Sequence, residues 1–197
     1  MIHRLSLEIA DYLFYRKIIS IDKYDIYSYG LEMIVSSILG VILVALCGIL
    51  TDSLIHAIVF YILFIALRMY TGGYHADTHL ACKLTLCGSF LITNITFITL
   101  LPFYNVSIHI FLSLFNLIAV VVLSPIESSR KQLSTSIKNK NKAISICAYI
   151  VLIILTLCFY LMSYREWALF PILVATNVSL LMYIGYIKER RIKDEVR

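Results

Sequence analysis

The chain has 197 residues, 60% of them hydrophobic and only 15% charged, with a formal net charge of +5 and a mean hydropathy of +0.88. A soluble domain carries nearer about a quarter charged residues, and the few charges here are clustered, leaving long runs without any. That excludes an ordinary soluble domain and points to one all-α polytopic membrane domain over residues 1–197.

The N-terminal stretch, residues 1–30, opens with Ile2, Leu5, Ile9 and Leu13 at helical spacing, with Arg4, Glu8 and Asp11 on the other face. This predicts an amphipathic helix, either lying on the inner leaflet or packed against the bundle. Its charges are too closely spaced to leave the h-region of a cleavable signal peptide. Six apolar runs of near-spanning length follow, at about 31–50, 54–70, 84–103, 108–126, 143–162 and 167–187. Only Thr51-Asp52-Ser53 separates the first two, which predicts a tight helical hairpin. Open sheets cannot span lipid and no barrel-like alternation is present, so the spans are expected to be helices.

Between the spans lie two polar connectors, 68–83 and 127–142, and a basic C-terminal tail. Six spans put both termini on one side. On that count, 16 of the 17 Lys and Arg residues share a side, and Arg165 alone falls opposite. The positive-inside rule then places the termini and both connectors at the cytoplasmic face. The 127–142 connector, "ESSRKQLSTSIKNKNK", reads as a solvated loop near anionic headgroups, with guidance of an acidic substrate as the alternative. There is no internal repeat, nucleic-acid motif or phosphate-binding Gly loop.

Of five cysteines, Cys47, Cys87, Cys147 and Cys158 lie in apolar runs and behave as small hydrophobes. Nothing suggests a disulfide framework. Charged residues are almost absent from the spans. His56 and His109 fall near predicted outer ends, where an interfacial role is expected, and Glu32 near an inner end. This counts against ion-coupled transport, whose sites carry buried charge. A peptide or small-molecule transporter without covalent chemistry remains the alternative function.

Chemistry concentrates in "RMYTGGYHADTHLACKL", residues 68–84. As a plain connector, Arg68 and Lys83 would anchor helix ends in the headgroup region, and Gly72-Gly73 would make a turn. That leaves two histidines and a cysteine unexplained. As a metal site, His75, His79 and Cys82 would share one helix face with Asp77 nearby. The stretch lacks the Glu of an HExxH peptidase, however, so no metal is assigned. As a nucleophilic pair, Cys82 needs an imidazole to take its proton. His79 is one helical turn away, whereas His75 would lie about 10.5 Å off along a straight helix and pairs only if the backbone bends. Spacing alone does not choose between them.

The same residues, Arg68, Gly72, Gly73, His75 and Cys82, resemble the signature of the AgrB family, membrane peptidases that process bacterial autoinducing-peptide precursors. Chain length and multispanning topology agree with that family. "SPIESSRK" at 124–131 is similar to its Pro–acidic–basic stretch after a later span. The resemblance implies Cys82 as nucleophile and His75 as its base, leaving His79 without a role. It marks Arg68 as functionally important, and it leaves Gly72 and Gly73 to shape the backbone, with their N–H groups or Arg68 as oxyanion donors. Asp77 and Glu127 are the acidic residues considered as orienters, and the sequence itself names no third catalytic member. The resemblance further implies a short amphipathic precursor peptide as substrate, no cofactor, a homodimer in the bacterial cytoplasmic membrane, and a thiolactone or lactone product. It also creates a structural demand: if His75 and Cys82 act together, they cannot share one straight helix.

Overall fold

The computed structural model describes residues 2–72, 78–126 and 134–195, and within them the chain is helical. Helix α1 (Ile2–Tyr15) is followed by a 3-10 turn at Ile21–Lys23 and by α2 (Tyr24–Leu50). Then come α3 (Leu54–Thr71), α4 (His79–Leu100), a second 3-10 turn at Leu101–Phe103, and α5 (Val106–Leu123). The last two helices are α6 (Thr135–Leu161) and α7 (Arg165–Glu195). The helices α2 to α7 give six segments long and apolar enough to cross a membrane, so the protein is a multi-pass membrane protein.

Several boundaries differ from the hydropathy reading. Helix α4 starts at His79, so Cys82 and Lys83 belong to a helix rather than to a connector. Thr78 is the reason. Its extended backbone (φ −129°, ψ 149°) lets its hydroxyl oxygen accept from the Ala81 N–H at 3.2 Å, an N-cap that hydropathy does not register. Helix α6 begins at Thr135, so residues 135–142 of the basic connector are helical, and α7 runs on to Glu195. Polar residues form helix as readily as apolar ones, and an apolar window therefore marks where a helix is buried in lipid, not where it ends.

Helix α7 is the centre of the bundle. In its spanning window 67% of residues are buried, against 17–28% in the other five. Ala168 through Ala175 are buried without a break, Pro171 included, and α3, α4, α5 and α6 all pack on this helix. In lipid, apolar faces gain little by meeting each other, so close packing and interhelical hydrogen bonds select the neighbours. Here Asn116 of α5 donates to the Thr176 hydroxyl at 3.0 Å and accepts from Ser179 at 2.9 Å. Tyr149 of α6 meets Ser179 at 3.3 Å, and Asn177 donates to the Ser89 carbonyl of α4 at 3.2 Å. These polar residues were not singled out from the sequence, where they sit within long apolar runs.

The α2–α3 hairpin forms as expected. A Cβ on Gly48 would lie 2.5 Å from the Ala57 Cβ, so only glycine allows the two helices to approach this closely. Helix α1 packs on α2 and resolves its two expected placements in an unforeseen way. Its buried residues are the small Ser6 and Ala10, while Leu5 is 46% exposed, and the Tyr24 hydroxyl donates to Asp11 at 2.5 Å. A small-residue face thus meets α2, and the apolar stripe stays largely outside.

Candidate active-site segment

Successive helices alternate in direction, so the bundle has two ends. One carries Thr51–Ser53, the 3-10 turn at Leu101–Phe103 and the α6–α7 turn; the other carries the end of α3, the start of α4, and the α5–α6 connection. The stretch 68–84 belongs to the second end.

There, α3 stops at Thr71 because the chain turns through Gly72 at φ +71° and ψ −147°, a region essentially restricted to glycine. The turn brings Gly72 against the segment that follows α5. The Ile126 N–H donates to the Thr71 carbonyl at 3.0 Å, and Gly72 and Ile126 form a short parallel bridge. A Cβ on Gly72 would sit 2.5 Å from the Ile126 carbonyl oxygen, a backbone atom that cannot step aside. Thr71 is fully buried beneath, its hydroxyl donating to the Leu67 carbonyl at 3.1 Å. The freedom expected of Gly72 is therefore used twice, for a left-handed φ and for a close backbone approach.

Arg68 lies one turn before Gly72, half-buried, with its guanidinium 5.5 Å from the centre of the Phe64 ring. Cys82, the fourth residue of α4 and exposed, lies within electrostatic reach of Arg68. The Cys82 N–H donates to the Thr78 carbonyl at 3.0 Å, which closes the first helical turn. A side chain in this turn leans toward the helix N-terminus, where the backbone dipoles present their positive end. Arg68 and the start of α4 thus lie beside one accessible thiol. The other cysteines have no such setting. Cys147 and Cys158 are exposed on the apolar surface of α6, and Cys47 and Cys87 face each other between α2 and α4.

Of the residues expected to act here, Arg68, Gly72 and Cys82 are brought to the same end of the bundle. Gly73, His75 and Asp77 lie outside the described residues, as do Glu127 and the side chain of His79. Among the described residues, α4 begins at His79, which places Cys82 in its first turn.

Sequence reasoning did not foresee that "SPI" at 124–126 would meet Gly72. The signal was present, since both stretches carry the family-like pattern, but nothing in one dimension joins them across more than fifty residues. His109 also departs from expectation. It is 2% exposed rather than interfacial, and its Nδ1 lies 2.6 Å from the Tyr104 hydroxyl. His56 is half-buried against Phe97 and Phe170, with ring centres 4.9 and 4.6 Å away.

Comparison with known proteins agrees with the motif. The chain is 26% identical over 184 residues to AgrB-like protein 2 of Clostridium perfringens (strain 13 / Type A), covering 84% of each chain. It is 23% identical over 158 residues to accessory gene regulator protein B of Staphylococcus aureus (strain bovine RF122 / ET3-1), covering 77% of this chain and 79% of that one. A further AgrB-like protein, from Clostridium perfringens (strain SM101 / Type A), is 26% identical over 125 residues, which span 60% of this chain and 58% of that relative's length. No solved structure matches. The family model for accessory gene regulator B matches residues 6–187, nearly the whole chain, so the protein belongs to the AgrB family.

Proposed function

We propose that the protein is a membrane-embedded cysteine endopeptidase that processes a short amphipathic precursor peptide into a cyclic autoinducer, acting at the cytoplasmic face. Family membership supports peptide processing. The observation that carries the choice of nucleophile is the setting of Cys82: exposed, in the first turn of α4, and within electrostatic reach of Arg68. The thiolate is the form of cysteine that attacks carbonyls, and an exposed thiol is one a precursor peptide can reach.

In this reading His75 takes the Cys82 proton, and the thiolate attacks one backbone carbonyl of the precursor. The tetrahedral oxyanion is met by Arg68 or by backbone N–H groups near Gly72, Gly73 and the start of α4. Collapse expels the C-terminal fragment, whose amine takes the proton from the imidazolium, and leaves an acyl-thioester on Cys82. Attack by an internal thiol of the precursor exchanges one thioester for another and yields a thiolactone; an internal hydroxyl yields a lactone. Holding that group beside the acyl carbon supplies effective molarity, and exclusion of water protects the intermediate from hydrolysis. The His75 role rests on the family pattern, as does a homodimeric assembly.

The decisive experiment reconstitutes the full chain in vesicles with the peptide encoded by a neighbouring short reading frame and follows cleavage and the covalent adduct by mass spectrometry. Wild type is expected to release the C-terminal fragment and to form an adduct confined to a Cys82 peptide. Normal processing by both Cys82→Ala and Cys82→Ser would overturn the reading. His75→Ala is expected to abolish processing while His79→Ala retains it, and the reverse pattern would reassign the base.

A further inference from the structure

A cleft of about 680 Å³ opens between the end of α5, the first turns of α6 and the last turns of α7. It lies at the same end of the bundle as Cys82, yet none of the residues assigned to the reaction lines it. Lys138 and Lys142, one helical turn apart on α6, and Arg190 on α7 face it, with Glu189 as the acidic residue among them. That leaves a local charge of about +2 on two helices that converge on one space. Ser124 also lines the cleft. It is 5% exposed, and its hydroxyl has no hydrogen-bond partner among the described residues. A buried donor left unmatched costs about 1–3 kcal/mol, so a ligand oxygen that reached it would be favoured. Converging cations beside an unmatched donor suit an oxyanion, and the α6 N-terminus adds to the attraction. The Glu189 carboxylate opposes it, and among the described residues lining the cleft the basic side chains outnumber the acidic one.

The apolar side of the cleft identifies the kind of molecule that carries the oxyanion. Val122, which forms part of the wall, is 70% exposed, and below it Ile118, Leu114 and Phe111 are 62%, 54% and 69% exposed. At steps of four, four and three residues these four side chains make one strip down the outer surface of α5. The strip is about 16 Å long at about 1.5 Å per residue, close to the half-thickness of a bilayer core. A basic head site set directly above an apolar track of that length matches an amphiphile rather than a free anion. We propose that this cleft binds the phosphate headgroup of an anionic phospholipid, with Lys142, Arg190 and Ser124 on the phosphate and one acyl chain along Val122, Ile118, Leu114 and Phe111.

The site connects to the segment that carries the chemistry. Ser124 and Ile126 flank Pro125 in the strap whose last residue bridges to Gly72. A lipid held on Ser124 therefore steadies the partner of the Gly72 turn.

The test uses the full chain in lipid nanodiscs containing phosphatidylglycerol and phosphatidylcholine, extracted gently and examined by native mass spectrometry for retained lipid. Wild type is expected to retain phosphatidylglycerol about tenfold over phosphatidylcholine, and the Lys142→Gln/Arg190→Gln double variant to lose that preference. Ser124→Ala is expected to weaken retention about threefold, in keeping with loss of one hydrogen bond to a charged group. Lys142→Arg/Arg190→Lys keeps the charge and should retain the lipid, which separates loss of the site from loss of the fold. Equal retention of the two lipids by wild type, or an unchanged preference in the folded double variant, would overturn the proposal. If inorganic phosphate stabilises the protein in pure phosphatidylcholine discs as well as phosphatidylglycerol does, the cleft serves a soluble anion and the lipid assignment fails. Should the double variant not fold, the wild-type competition between the two lipids decides alone.

Discussion

At the end of the bundle that holds Ser53, Tyr104 and Arg165, a cleft of about 550 Å³ opens beside Ser53, His56 and Trp167, and around it side chains tie the helices together. The Tyr104 hydroxyl meets His109, Arg165 donates to the Tyr104 carbonyl, and the His56 ring packs among Phe97, Trp167 and Phe170. Burial pushes the Tyr104 phenol well above its ordinary range, with Tyr160 adding to the shift, so it stays protonated within 2.6 Å of Nδ1 of His109. At the opposite end the described contacts are of another kind. A backbone bridge joins Gly72 to Ile126, basic side chains line an open cleft, and the Cys82 thiol is exposed. The first end is built mainly from aromatic packing and side-chain hydrogen bonds between helices. The second is built from a backbone bridge and basic side chains, with one thiol exposed beside them. The same helices thus carry different kinds of contact at their two ends.

Substitutions can break this contrast. The largest expected effect is that of Cys82→Ala, which should lower processing by more than about a thousandfold, as removal of a catalytic nucleophile commonly does. Its thermal midpoint should stay within a few degrees of wild type, since Cys82 is exposed, and a large loss of stability would show that the thiol is structural. Gly72→Ala comes next. A non-glycine residue in that backbone region costs about 1–3 kcal/mol, and the added Cβ collides with the Ile126 carbonyl oxygen as well. Processing should fall at least about tenfold while the opposite end keeps its packing, which tryptophan fluorescence of Trp167 reports. Retained activity would mean that the strap does not position the site.

Tyr104→Phe reverses the pattern. It strips His109 of its partner in a buried setting and should cost about 1–3 kcal/mol in denaturation, with processing per folded molecule unchanged. A selective loss of activity would tie the two ends together. The smallest expected effect belongs to the paired change Cys147→Ser/Cys158→Ser. Both thiols are exposed on the apolar surface of α6, and stability should move by only about 0.5 kcal/mol. Thiol labelling of this variant in vesicles, with Cys82 as the water-facing cysteine, gives a direct reading of accessibility.

Much of this was legible in one dimension. Long apolar runs can cross lipid only as helices, because every backbone polar group must be matched internally. The number of spans and the short hairpin at Thr51–Ser53 therefore followed from hydropathy, and the expected cytoplasmic face followed from the distribution of Lys and Arg. The clustering of Arg68, Gly72, Gly73, His75 and Cys82 marked the candidate site and carried the family likeness. Helix ends were less legible, since a cap such as Thr78 acts through two atoms and leaves no trace in an apolar average.

What only the tertiary structure decided are the pairings between distant segments. Hydropathy does not set α7 apart from the other spans, yet it is the most enclosed of the six, and Thr176, Asn177 and Ser179 find partners on α4, α5 and α6. Nothing local in Ile126 reveals that its backbone meets Gly72, or that Ser124 beside it is buried facing a basic cleft. Apolar patterning specifies which residues leave water, a property of each residue by itself. Which buried groups meet one another depends on the shape of the whole bundle, and in this protein that shape sets Gly72, Arg68 and Cys82 at one end.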